Sequence, residues 1–529
     1  MLFIEKALSL LLKNDGMFGF IISNKLLTND YGEPARQMVL TESKISKIID
    51  VSMLNVFEEA QTYPIILLCK KMAKIKAAEN AVDMITALNL HNIDEGLKVT
   101  ITQSELKGFG KSVIPIPTNP RTFEVLRKIT KQGVPMKKLF TLNSGTAGFQ
   151  YRSFGDCLVD SKPISGQALP FIVTGNIDHY HIDFNKKVHY LGKELVNPFL
   201  VYNKHKVTEG KWELFNKRKI VIRGMALSLT AAYDKDGAAT GVSTYLVTGF
   251  EENGIDPLFT TALLNSKVLD FYYKTLFLSK HLAGEWIGYN VSQLEGLPFV
   301  VPDSNVQKKI ADLVLKIMTI KESVSTFLRI WEFWATKLKN SEKTLSDILI
   351  DDLEKLRKGE KDVWTVKAYL LSHERSEPKN LKDFSAVMYD KILEIRGLTE
   401  DGKEIALATL FFISDECLTH TYLAITRTLY SGLKIETIED LLNKTRVPLI
   451  LPNYVKNTPS IITCTIKEYQ QQIKEGVSIP LMLKQLEATE IEIDANVFLL
   501  YGLQKEEIQH ICEYLNLNEI YKIKLLEKS

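Results

Sequence analysis

The chain has 529 residues, 45% hydrophobic and 25% charged, a balance that suits a soluble globular protein of roughly three or four domains. A formal net charge of +2 at pH 7 excludes the strongly basic make-up of a small nucleic-acid-binding module, and no apolar run approaches the roughly 18 residues of a membrane span. The cysteines Cys69, Cys157, Cys417, Cys464 and Cys512 are scattered and odd in number, which argues against a disulfide framework or a Cys-x-x-Cys metal site; Met1 is followed by no signal-peptide pattern, so a cytoplasmic location is expected.

In chain order, Phe3-Ile4-Glu5-Lys6-Ala7-Leu8 into Leu10-Leu11-Leu12 is patterned as a helix. A strand follows at Gly19-Phe20-Ile21-Ile22-Ser23, then a polar loop from Asn24-Lys25, a helix ending at Leu40, and a strand over 45–51. A hairpin-like segment covers 55–68, with Val56-Phe57-Glu58 at its start. Lys107-Gly108-Phe109-Gly110-Lys111-Ser112 looks like the end of a phosphate-binding loop, but Glu105 stands where that loop requires glycine. The plain reading is a flexible connector. Glu42-Ser43-Lys44 supplies an acidic-x-Lys triplet of the kind that arises by chance in any charged chain.

From about 151 to 301 short strand-like runs alternate with loops, among them Phe171-Ile172-Val173, 219–223 and 243–247. Within this stretch Lys204, Lys206, Lys211, Lys217, Arg218, Lys219 and Arg223 are opposed only by Glu209 and Glu213; such a cluster neutralises phosphates, or is simply a solvated surface. His179, His181 and His189 form a loose group without a Cys or acidic partner at ligand spacing, so no metal is expected. Leu263-Leu264-Asn265-Ser266-Lys267 opens a helical run, and Leu294-Glu295-Gly296-Leu297-Pro298-Phe299 closes the region. Apolar residues Ile310, Leu313, Val314, Ile317 and Ile320 then mark a long helix. Residues 354–450 read as helix-rich, with 407–412 their most apolar part. Near the end, Val497, Leu500 and Tyr501 form one helix face, Gly502 suits a left-handed cap, and Gln504 starts another helix.

The order of elements in the first seventy residues resembles the later motifs of gamma-class N6-adenine DNA methyltransferases, the family of TaqI-type and type IIG restriction-modification enzymes. The pieces at 263–272 and 289–299 are similar to the TaqI-type C-terminal specificity domain and to target-recognition domains of type I specificity subunits. The run 493–508 matches the closing helix pair of many type IIG chains. The resemblance implies an α/β fold: the C-terminal part of a Rossmann-like methyltransferase sheet, then a mixed α/β target-recognition domain, then a helical C-terminal region. The implied boundaries are 1–110 for the methyltransferase-like part, 111–302 for target recognition, 303–345 for a spacer helix, 346–465 for a helical insertion of unknown role, and 466–529 for the closing helical segment.

Two family elements do not occur. The glycine loop that lets a backbone approach S-adenosylmethionine has no counterpart, and with no two prolines adjacent neither has the Asn-Pro-Pro-Tyr type of tetrapeptide. The catalytic N-terminal half is therefore expected to be absent, S-adenosylmethionine to bind only with that missing half, and this chain alone to carry no cofactor. The resemblance places Phe57 where the family stacks an aromatic ring on an adenine swung out of the duplex, with Asn24 and Lys25 in the substrate-pocket loop. Lys204, Lys206, Lys217, Arg218, Lys219 and Arg223 are the expected contacts to double-stranded DNA. One functional expectation is the C-terminal part of a split or truncated adenine methyltransferase, with a catalytic polypeptide covering residues 1–75. A second is a non-catalytic specificity or scaffold subunit, and a third is an interaction protein retaining a methyltransferase remnant.

Overall fold

The computed structural model describes residues 2–13, 15–57, 63–72, 80–116, 119–277, 287–337, 344–348 and 366–369, short runs between 381 and 446, and 479–529. The chain divides into two compact units, Met1–Met318 with Glu490–Ser529, and Thr319–Thr489.

In the first unit, β-branched and apolar runs build a five-stranded sheet from β1 (Met17–Ser23), β2 (Ser43–Asp50), β3 (Pro64–Lys71), β4 (Ala81–Thr86) and β5 (Leu97–Thr102). Its order is β1-β3-β2-β4-β5. β3 lies antiparallel to both β1 and β2, β2 runs parallel to β4, and β4 pairs antiparallel with β5. The inner strands bury Ile45, Ile48, Ile65, Leu67, Val82 and Met84. By contrast β1 has no buried residue; its side chains alternate between exposed and half-buried, and its outer edge pairs with no strand among the described residues. The opening segment is α-helical over Leu2–Lys6 and π-helical over Ala7–Leu11, a widened turn that the apolar periodicity did not foretell. It buries Ile4, Ala7 and Leu8 and leaves Leu2, Phe3, Leu10 and Leu11 exposed.

The connector at 107–112 is tethered rather than free. The Arg36 guanidinium, buried on the Glu33–Glu42 helix, donates to the carbonyls of Leu26, Asn29, Lys111 and Ser112 at 2.7–3.0 Å. Lys111 and Ser112 adopt left-handed backbone angles, φ 55° and 54°, and the Lys111 ammonium pairs with Asp30 at 3.1 Å. The loop's carbonyls thus face a cation, the reverse of a phosphate cradle, in which backbone N–H groups face an anion.

The middle of the unit holds an antiparallel sheet in the order Ala231–Asp234, Lys219–Arg223, Thr244–Thr248, Thr141–Ser144. Beside it a second sheet is built from Ala168–Ile172, Phe199–Val201, Leu158–Val159 and Ala239–Thr240. Between them Phe154, Phe171, Tyr190, Phe215, Val221 and Leu246 form a continuous core. The Leu-Leu-Asn-Ser-Lys piece ends the Pro257–Asn265 helix and opens the Lys267–Phe277 helix. Its Asn265 acts as a surrogate strand residue: the side chain accepts from the Ala231 N–H at 2.9 Å and donates to the Ala231 carbonyl at 2.8 Å.

The closing helices lock onto this arrangement through residues of the recognisable sequence pieces. Asp494 accepts from the Lys267 N–H at 3.0 Å and from the Tyr521 hydroxyl, and burial pushes its carboxyl up from the usual range. Tyr501, fully buried, donates to the Pro298 carbonyl at 2.6 Å. Gly502 has φ 63°, the left-handed cap that glycine adopts without steric cost.

The second unit corrects the expectation of a helical insertion. Its described residues include a four-stranded antiparallel sheet in the order Val366–Tyr369, Glu404–Phe412, Ile392–Leu398, Asp383–Tyr389, over a core with Phe384, Leu393, Ile395, Ala408 and Leu410. Ile392–Leu398 alternates strictly between buried and half-buried positions, the period of two that marks a strand. Much of 346–465, including Cys417 and Cys464, lies outside the described residues.

Candidate functional site

The carboxyl ends of β1, β2 and β4 come out on one side of their sheet, where ligands of open α/β sheets sit. There they line a cleft of about 800 Å³, within the roughly 300–1,000 Å³ of small-molecule sites. Asn24 follows β1, Asp50 ends β2 with Ser52 and Met53 just beyond, Tyr63 precedes β3, and Thr86 ends β4. The opposite wall comes from the middle of the unit and from its closing helices: Leu227, Lys274, Thr275, Leu276 and Ile287, with Tyr514, Leu515 and Asn516.

Two polar atoms in this lining stand out. Asn24 is buried, its backbone N–H held by the Tyr63 carbonyl at 2.8 Å, yet among the described residues its Oδ1 has no hydrogen-bond partner; nor does the Oγ1 of Thr86. Buried acceptors without donors are costly, by about 1–3 kcal/mol each, so a ligand N–H group is the natural complement. Asp50 is partly engaged, accepting from the Ser52 N–H at 2.9 Å. Lys274 donates to Asp270 at 2.7 Å, and the other oxygen of Asp270 accepts from the Leu229 N–H at 2.9 Å.

The expected site residues fall out differently. Asn24 lines the cleft; Lys25, next in sequence, is exposed and is not part of that lining. Phe57 is 46% exposed and is not part of the cleft lining; it follows Leu54 and Val56, which pack on the cluster of Ile49, Val51, Ile85 and Ala87. It is not core, and residues 58–62 of the expected hairpin lie outside the described residues, while its last part, from Pro64, belongs to β3. Asp50, Ser52, Thr86, Lys274 and Asn516 were not anticipated. The first three sit at or just past strand ends, a positional signal the sequence offered; Lys274 and Asn516 reach the cleft only through tertiary packing.

Among the basic residues, Lys219 is a correction. Its side chain is fully buried, and its ammonium donates to Asp234 at 2.6 Å and to the carbonyls of Phe215 and Lys217 at 2.6 and 3.2 Å. Burial pulls its pKa below the ordinary lysine value. Such a lysine cannot reach a phosphate. Lys204 and Lys217 are exposed, Arg218 forms a surface pair with Glu251, Lys206 pairs with Asp156, and Arg223 is half-buried. Lys211 turns inward to the carbonyls of Ser144 and Gly145. His179 contacts the Ser228 hydroxyl at 3.0 Å, and among the described residues no cluster of His, Cys, Asp or Glu could hold a metal ion. No helix among them is long and apolar enough to cross a membrane.

Comparison with known proteins follows the same division of the chain. Residues 170–299 match the TaqI-like C-terminal specificity domain, and residues 1–57 match the Eco57I restriction-modification methylase family. Comparison with curated proteins gave no match. Among solved structures, the type IIG restriction endonuclease BpuSI is similar at 10% identity and a TM-score of 0.27, over 59% of this chain and 43% of that one. The match thus spans less than half the length of that relative.

Proposed function

We propose that this chain, related to restriction-modification methylases and carrying a TaqI-like specificity domain, reads DNA sequence and completes the catalytic domain of a site-specific, S-adenosylmethionine-dependent adenine-N6 DNA methyltransferase. One observation carries the reading: the strand ends of the methylase-like sheet and the specificity segment share the cleft containing Asn24, Asp50, Thr86 and Lys274. A base swung out of a duplex held by the specificity segment would meet strand ends there. Asn24 would accept from the base, and Phe57, exposed beside the loop, would offer the aromatic face that offsets lost stacking.

On this reading the cofactor loop and the Asn-Pro-Pro-Tyr type of motif come from a methyltransferase core outside these residues, and the 107–112 loop, which presents carbonyls to Arg36, has no part in holding the cofactor. The open edge of β1 and the exposed Leu2, Phe3, Leu10, Leu11, Met17 and Ile21 fit a surface that such a core covers, since an unpaired edge beside apolar side chains otherwise invites aggregation. Double-stranded DNA is the second partner.

The test is reconstitution. Calorimetric titration of the chain alone with S-adenosylmethionine is expected to give no heat of binding, whereas adding an Asn-Pro-Pro-Tyr-bearing core should give methyl transfer to adenine in duplex DNA. Micromolar cofactor binding by the chain alone would overturn this division of labour. Sequence-specific DNA binding without any gain in methylation would favour the non-catalytic specificity or scaffold subunit.

A further inference from the structure

The strand ends explain one wall of the cleft; the other wall carries a positioned cation. Among the described lining residues Lys274 is the sole basic side chain and Asp50 the sole acidic one. Lys274 lies in the last turn of the Lys267–Phe277 helix, where its ammonium is placed by a chain of contacts. The Leu229 N–H fixes one oxygen of Asp270, and the other oxygen holds the ammonium at 2.7 Å. The carboxylate lies behind, with 6% of its side chain exposed, and the lysine in front, with 21% exposed.

That arrangement suits an anion. A free lysine loses up to about 2 kcal/mol of rotamer freedom when it is fixed on a ligand, and here the fixing is done within the helix, by an i,i+4 pair. An ammonium has three N–H donors and one is spent on Asp270. A sheltered charge is also screened less by salt than one on an open surface. The wall also carries the apolar Leu227, Leu276 and Ile287, and Leu227 and Met53, from the two walls, are 53% and 84% exposed. Apolar lips around a single positioned cation fit a nucleotide whose sugar and base slide past them while its phosphate is held.

We propose that Lys274, positioned by Asp270, contacts a backbone phosphate of the DNA strand that enters the cleft. This rests on the reading of the cleft as a DNA site given above. It moves part of the phosphate recognition away from the basic stretch at 204–223 and into the substrate cleft.

The affinity of the full chain for a random-sequence duplex, measured across salt concentrations, tests both statements. Replacing one phosphate-contacting lysine lowers the slope of log K against log salt by about 0.9. Lys274→Gln is expected to show that loss alike on all sequences, and Lys274→Arg to restore the slope. The glutamine variant leaves Asp270 less compensated, so the wild-type chain provides a second measurement: acetylation of Lys274, read by mass spectrometry, should fall when duplex is added. If the wild-type chain binds duplex in a salt-dependent way but Lys274→Gln keeps the full slope, or Lys274 labels equally with and without DNA, Lys274 is not a phosphate contact and the cleft reading survives. If the wild-type chain shows no salt-dependent duplex binding at all, the DNA reading fails and takes this proposal with it.

Discussion

β1 and the Lys219–Arg223 strand are both short runs with an apolar centre, yet they occupy opposite situations. Among the described residues β1 pairs on one side only, and it buries none of its residues. Lys219–Arg223 pairs on both sides and buries every residue but the last, the lysine included. The specificity segment therefore closes its own core, while the methylase-like sheet has, among the described residues, an unpaired edge beside exposed apolar side chains. A substitution in the specificity segment should be felt as lost folding, and one in the methylase-like sheet as lost association or catalysis.

The largest effect expected from this contrast is at Lys219. Lys219→Ala removes one partner of a fully buried ion pair and leaves Asp234 in the core with only the Gly237 and Ala238 N–H groups. Breaking such a pair costs about 3–5 kcal/mol. Chemical denaturation should show that loss, and a variant as stable as the wild type would break the comparison.

A smaller effect is expected at Phe57, on the other side of the contrast. Because Phe57 is half-exposed, Phe57→Ala should leave the melting temperature nearly unchanged. In the complex with a catalytic core it should reduce methylation by about tenfold to a hundredfold, the worth of one aromatic–base stack of about 1–3 kcal/mol, and quench the fluorescence rise of 2-aminopurine at the target position. A destabilised variant that flips the base normally would remove Phe57 from the site.

The smallest effect concerns the surface of the specificity segment. The double change Lys217→Ala with Arg218→Ala touches an exposed lysine and an exposed pair with Glu251, and surface pairs contribute about 0–1 kcal/mol. Stability should hold, while the salt slope of DNA binding flattens by up to about two phosphate equivalents. An unchanged slope would place the DNA on another face of the segment.

Much of the fold was legible because it is written in short windows. The strand after Gly19, the strand from 45, the helix ending near Leu40 and the cap at Gly502 depend on neighbours within a few residues, and each stands where the pattern put it, within a residue or two. The region around 392–412 was misread as helical because its apolar content drew attention away from its period of two. The candidate site was legible only in part. Asn24 follows directly from a strand end, but Lys274 enters the cleft from a helix about 250 residues further along the chain.

The sequence by itself determined the kinds of element, their order, and the local pieces that resemble methylase and specificity domains, since helix periodicity, strand alternation and capping are set by contacts within a few residues of chain. Which of seven neighbouring cations stays in water was decided by tertiary structure alone. Lys219 sits beside Lys217 and Arg218 in the chain, but the antiparallel register sets it against Asp234 and buries both; charge can be counted along a sequence, whereas desolvation depends on what the rest of the fold lays on top.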